Sequence, residues 1–318
     1  MKALVLISSP LQLYLSFSIP SQFKIDSLDY IFFKDKKSNR HIQMETIAKM
    51  YNINYSYQEG SVSFLKQLKL SLKKIEVKYD YLFIGSFYQG LELIYFPYLK
   101  KKSKVYYLDD GNNTIEILNG NFRHLKFYLK RYLLKTRFYF NSLSFDNYFT
   151  IYKNIPSKVF NVVHNVLSTQ SIVAESNNAI FIVGTNTPVY TCFNGLSNED
   201  FLNKSLEFFG DLKNNVNLPM IFIPHGRDTS GIDKKICEIL NIEYRKIDVC
   251  LELYFVLNKI HPSMIFGFGS TALFILKSMY PNSNVTNLHM NGKSYKAKVV
   301  YKDIISYYKQ NQIDTIYL

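Results

Sequence analysis

Val105-Tyr106-Tyr107-Leu108-Asp109-Asp110-Gly111 is an apolar run of strand length that stops at two carboxylates and a glycine. Valine and tyrosine suit a pleated, half-buried chain, and Asp-Asp-Gly suits a turn. The same transition recurs upstream. A strand at Lys2–Ser8 ends in Ser8-Ser9-Pro10, and Tyr79–Ile84 runs into Gly85-Ser86. Asp29–Phe33 is a further strand, and Asn39–Tyr51 and Val62–Ile75 carry helical patterns between the strands. Short apolar strands alternating with helices predict a mostly parallel sheet of βα units. In such sheets ligands bind at the carboxyl ends of the strands.

The rhythm lapses over Val162–Asn178, a stretch rich in Ser, Asn and Val that reads as a linker, and then resumes. Strands are expected at Ala179–Val183, Met220–Ile223, Met264–Phe268 and Asn284–Leu288. Helices are expected near Ser197–Leu212, Ile232–Leu240, Cys250–Lys259, Ser270–Met279 and Tyr301–Gln310. The 318 residues therefore suit two α/β domains of roughly 150 residues each. We expect residues 1–165 and residues 176–318 each to form a Rossmann-like domain, with the last helix able to pack back on the first. The predicted fold class is α/β, with two Rossmann-like domains facing across a cleft.

Composition narrows the function classes. Hydrophobic residues make up 47% of the chain and charged residues 20%, enough for a buried core. No signal-peptide pattern precedes the first strand, and no run approaches the ~18 apolar residues that span a bilayer. Cys192, Cys237 and Cys250 form no CxxC pair and no metal spacing, so reduced thiols and a cytoplasmic location are expected.

Three strand-end loops carry chemistry. In Asp109-Asp110-Gly111, adjacent like charges raise at least one carboxyl pKa, which suits a general base near neutral pH. An ordinary Asp-rich turn has the same pattern. In Met220-Ile221-Phe222-Ile223-Pro224-His225-Gly226-Arg227-Asp228, an imidazole and a guanidinium follow a strand, a pair able to meet a phosphate. A loop histidine bonded to backbone, with Arg227 paired to Asp228, is the plain alternative. In Phe266-Gly267-Phe268-Gly269-Ser270-Thr271, a glycine turn feeds two hydroxyl residues into a helix start, an arrangement that favours anions and equally makes a simple N-cap. Neither a P-loop nor a GxGxxG after the first strand is present.

Taken in order, these loops resemble those of bacterial sialyltransferases of the lipooligosaccharide and capsule type. That family carries a D/E-D/E-G motif, an HP motif and a paired Ser/Thr motif on a GT-B fold. Ser8-Ser9-Pro10-Leu11-Gln12 is similar to its opening loop. The resemblance implies an inverting, metal-independent enzyme that moves sialic acid from CMP-sialic acid to a galactose-type hydroxyl. Asp109 or Asp110 would be the base, and His225 would assist departure of the CMP phosphate. Ser270, Thr271, Gly269, Arg227 and Gly184 would hold the donor, and Glu252 would contact its nucleotide sugar. Ser9, Gln12 and Ser86 would line the acceptor side. The chain departs from the family at His225-Gly226, where His-Pro is usual; a literal His261-Pro262 precedes a strand instead of following one. No cofactor and no metal are expected.

The net charge of +13 fits an anionic partner. Residues 122–140 interleave cations with aromatics, a pattern that fits the inner membrane surface and a lipid-linked glycan acceptor. A solvated basic helix reads the same way. Nucleic-acid binding is the competing class, but the charge is spread through both halves and no nucleic-acid module is present. The same fold with another nucleotide sugar is the third reading.

Overall fold

The computed structural model describes residues 1–34, 40–59, 78–85, 99–119, 144–155, 157, 160–167 and 176–318. The chain divides into two compact units, Met1–Ser168 and Thr169–Leu318. The fold is α/β, with one parallel sheet in each unit.

The first unit contains β1 (Lys2–Ile7), α1 (Pro10–Ser16), α2 (Ile19–Phe23), β2 (Ser27–Lys34), α3 (Arg40–Met50), β3 (Tyr55–Glu59) and β4 (Tyr79–Ile84). It continues with β5 (Leu99–Leu108), α4 (Asn113–Leu118), β6 (Ser144–Thr150) and β7 (Asn161–His164). The strand order is β3-β2-β1-β4-β5-β6-β7, and every ladder is parallel. Ala3 to Ile7 and Leu82 to Ile84 are buried, as a sheet covered on both faces requires. Phe23, at the end of α2, packs edge-on against Phe83, Tyr106 and Phe149, so one ring links β4, β5 and β6.

The second unit contains β8 (Ser176–Val183), α5 (Thr187–Asn194), α6 (Asn198–Asn215), β9 (Met220–Ile223), α7 (Ile232–Leu240), β10 (Glu243–Tyr244) and α8 (Leu251–Leu257). It ends with β11 (His261–Gly267), α9 (Thr271–Met279), β12 (Asn284–His289), α10 (Tyr295–Gln310) and β13 (Asp314–Tyr317). Its order, β10-β9-β8-β11-β12-β13, is again wholly parallel. Ile180, Ile182, Phe201, Phe209, Phe222 and Phe268 meet in its core. A capping box, Ser197 with Asp200, starts α6. The closing helix α10 packs on α5 and β13 of its own unit.

Numbered within each unit, both sheets begin 3-2-1-4-5-6, the Rossmann order. The chain reverses direction of growth between β1 and β4, and again between β8 and β11. Those are the two switch points.

Several elements differ from the sequence reading. The expected linker contains β7 and the start of β8, because Asn161–His164 pairs with Asn147–Thr150 as a short edge strand. Its alternation is too brief to register as a period. β3, β6, β10 and β13 are likewise absent from that reading; each mixes strand formers such as Tyr, Phe, Thr or Ile with Ser, Asn, Asp, Gln or Glu, so none shows an unbroken apolar run. The Val62–Ile75 helix lies outside the described residues.

Candidate active site

All three loops lie at the carboxyl ends of parallel strands. Asp109-Asp110-Gly111 follows β5, His225 follows β9, and Gly269-Ser270-Thr271 follows β11 and opens α9. His261 is the first residue of β11, at the opposite edge of its sheet, with its ring edge-on to Tyr280.

The two aspartates differ sharply. Asp109 is 1% exposed, and its carboxylate accepts from the Thr150 hydroxyl at 2.6 Å and the Ile151 N–H at 2.8 Å. Burial pushes its pKa up to about 7, against the pull of those hydrogen bonds. The charge of Asp110, which the sequence suggested as the cause, is the last of the contributions. Asp110 is half-buried, and its N–H donates to the Thr114 hydroxyl at 2.9 Å. Gly111 has φ +65°, a left-handed conformation that glycine adopts without penalty, so the chain turns at once into α4. Asp109 therefore ties β5 to β6, and Asp110 is the more exposed of the two carboxylates.

The His225 loop is fixed from below. His225 Nδ1 accepts from the Arg227 N–H at 3.2 Å, which leaves the proton of a neutral ring on Nε2. Arg227 is exposed. Asp228 accepts from the Thr187 N–H at 3.0 Å and from the Ser230 hydroxyl, so it pins the loop to the start of α5. Beneath lies Asp233, 1% exposed, in the first turn of α7. Neither of its oxygens has a hydrogen-bond partner, nor has the Thr187 hydroxyl. Burial first and the Asp228 charge second push Asp233 up to about 8, with Thr187 acting in the opposite direction. Gly184 directly follows β8 here. A methyl group on it would stand 2.6 Å from an Asp233 oxygen and 3.0 Å from the His225 backbone nitrogen. Its role is thus to admit Asp233, a carboxylic acid that is mostly neutral at pH 7.

The Ser270 hydroxyl accepts from the Ala272 N–H at 3.3 Å and so caps α9. Gly269, at φ +58°, donates its N–H to Asn287 at 2.8 Å. The Tyr308 hydroxyl donates to the Ser270 carbonyl at 2.9 Å, and the Tyr301 ring closes over Gly269. Asn287, Tyr301 and Tyr308 brace this loop, and no local signal marks them, because they come from β12 and α10. Glu252 is buried at the start of α8, and burial pushes it up to about 7.

On the acceptor side, the Ser9 hydroxyl accepts from the Gln12 N–H and caps α1. The Gln12 amide is wholly engaged by protein. Ser86 and the basic-aromatic segment 122–140 lie outside the described residues. Among the described residues, no group of three His, Cys, Asp or Glu side chains is disposed to hold a metal ion, and no helix is long and apolar enough to cross a membrane.

No protein-family model and no curated protein matches the sequence. A solved structure from S. aureus, MnaA with UDP, is similar in fold, with a TM-score of 0.54 at 12% identity over 98% of this chain and 91% of that one. The fold class is thus that of two Rossmann-like domains in one chain, the GT-B type.

Proposed function

We propose that the chain is a nucleotide-sugar-dependent glycosyltransferase, and specifically an inverting, metal-independent sialyltransferase using CMP-sialic acid. The observation that carries this reading is the common placement of the Asp-Asp-Gly, His and Ser-Thr loops at the ligand-binding ends of parallel strands. Asp110 takes the proton of a galactose-type hydroxyl as its oxygen bonds to the anomeric carbon. The bond from that carbon to the CMP phosphate oxygen breaks with inversion, through an oxocarbenium-like transition state. His225, with its Nε2 proton, meets the departing phosphate, and Ser270, Thr271 and the start of α9 share its charge. Arg227 lies on the same loop as His225 and adds a guanidinium. The acceptor is a capsule or lipooligosaccharide glycan, lipid-linked at the inner membrane face.

The test follows CMP release from CMP-sialic acid with a galactose-terminated oligosaccharide and EDTA. Acceptor-stimulated release that is lost in Asp110→Ala and His225→Ala supports the reading. A second reading keeps the enzyme class and changes the donor, because the S. aureus protein of similar fold is described with UDP. Release of UDP from a UDP-sugar, with none of CMP, would select it.

A further inference from the structure

Gln12 is 1% exposed, in the first turn of α1, and its amide is saturated. Oε1 accepts from the Ser8 N–H at 2.9 Å and from the Ser8 hydroxyl at 3.0 Å. Nε2 donates to the Gly85 carbonyl and to the Asp109 carbonyl, the latter at 3.2 Å. A glutamine amide has two donors and two acceptor positions, and all four are used. One side chain thus holds the ends of β1, β4 and β5, across the switch point of the first sheet. The fit is tight. A methyl group on Gly85 would lie 2.4 Å from Gln12 Oε1 and 2.7 Å from its Cδ.

The consequence falls on one peptide bond. The Asp109 carbonyl is held by Gln12, and the Asp110 N–H that belongs to the same peptide donates to Thr114 at 2.9 Å. A peptide unit is planar, so fixing its oxygen and its hydrogen fixes its orientation. That plane sets the position of the Asp110 Cα, the point from which the Asp110 carboxylate projects. Gln12 has no hydrogen-bonding capacity left for an acceptor sugar, which removes it from the acceptor-binding role that its loop suggested.

We infer that Gln12 is a positioning residue: with Thr114 it clamps the Asp109–Asp110 peptide and so aims the base, a role that rests on the proposed reaction. The effect belongs in the chemical step and not in donor affinity, because the donor groups lie in the other unit. A base displaced by about 1 Å costs up to about 100-fold in rate.

The experiment compares wild type with Gln12→Met, which keeps the bulk and removes the amide, and Gln12→Glu, which keeps the shape. In Gln12→Met we expect kcat for CMP release to fall by roughly 10- to 100-fold with the KM for CMP-sialic acid within about twofold of wild type. Gln12→Glu places a carboxylate against two carbonyls at neutral pH. On protonation it regains one O–H donor, so its activity relative to wild type should rise as pH falls from 8 to 6. A separate readout needs no activity: amide hydrogen exchange at Ser8 and at residues 110–112 should accelerate in Gln12→Met, with β8–β13 unchanged. Unaltered kcat, or a loss confined to KM, overturns the positioning role. If Gln12→Met does not fold, a flat pH ratio for Gln12→Glu overturns it. A wild type that releases no CMP sinks the proposed reaction instead, and unaltered exchange in Gln12→Met then sinks the clamp as well.

Discussion

The two units share a strand order and differ in how their polar groups are satisfied. In the first unit the crevice between β1 and β4 is filled by Gln12, with every donor and acceptor of its amide used, and Asp109 beside it holds two partners. In the second unit Asp233 and the Thr187 hydroxyl lie buried without hydrogen-bond partners, Asp233 beside Gly184 and Phe222 on the β9 side of β8. Burial raises both carboxyls, and donors oppose it: Asp109, with two, is pushed up to about 7, and Asp233 up to about 8. The first unit therefore holds the Asp109–Asp110 turn in a fixed frame. The second unit carries a carboxyl that burial pushes up to about 8, beside the His225 loop.

Four substitutions break or sharpen that contrast. The largest effect should come from Asp110→Ala, which removes a base and should lower CMP release by about 10²- to 10⁴-fold, with little change in thermal stability. Asp109→Ala should show the reverse emphasis. It strands the Thr150 hydroxyl and the Ile151 N–H in the interior, so chemical denaturation should report a loss of about 2 kcal/mol. Equal stability of the two variants would erase the distinction between the aspartates.

Asp233→Asn tests the second unit through pH. The native pKa of Asp233 is raised from 3.8 to about 8, so the folded chain binds a proton that the unfolded chain has released. Stability from this group is full below the unfolded value. It declines as pH rises from about 4, and the whole penalty is present above about 8. The asparagine variant has no such slope. It should gain on wild type as pH rises from 5 to 9, by an amount on the order of a few kcal/mol, read from urea midpoints at each pH. A constant difference across that range would show that Asp233 does not titrate there. The smallest effect belongs to Asn287→Ala, which removes the side-chain oxygen that accepts from the Gly269 N–H and should cost about 1 kcal/mol, visible as a small drop in Tm.

Much of this was legible in the chain. The strands Tyr79–Ile84 and Met220–Ile223 and the helix Ile232–Leu240 stand where their apolar patterns put them, because a strand buried on both faces or a one-sided helix writes its environment into consecutive residues. The edge strands were not legible, since an edge is paired on one side only and Asn161–His164 or Asp314–Tyr317 carries little apolar signal. Of the site, the three loops were visible as small and charged residues after apolar runs. Their bracing by Asn287, Tyr301, Tyr308 and Thr150 was not.

What the sequence by itself determined is the alternation of apolar runs and helical periods. From that follow two parallel-sheet halves and the placement of polar loops at strand ends, since secondary structure and burial depend on neighbours a few positions apart. Only the tertiary structure decided which aspartate is buried, that the Gln12 amide is engaged by Ser8, Gly85 and Asp109, and that burial raises Asp233. The physical reason is distance along the chain. Gln12 meets Gly85 and Asp109 across 73 and 97 residues, and a hydrogen bond of that span exists only once the sheet has brought the strand ends together.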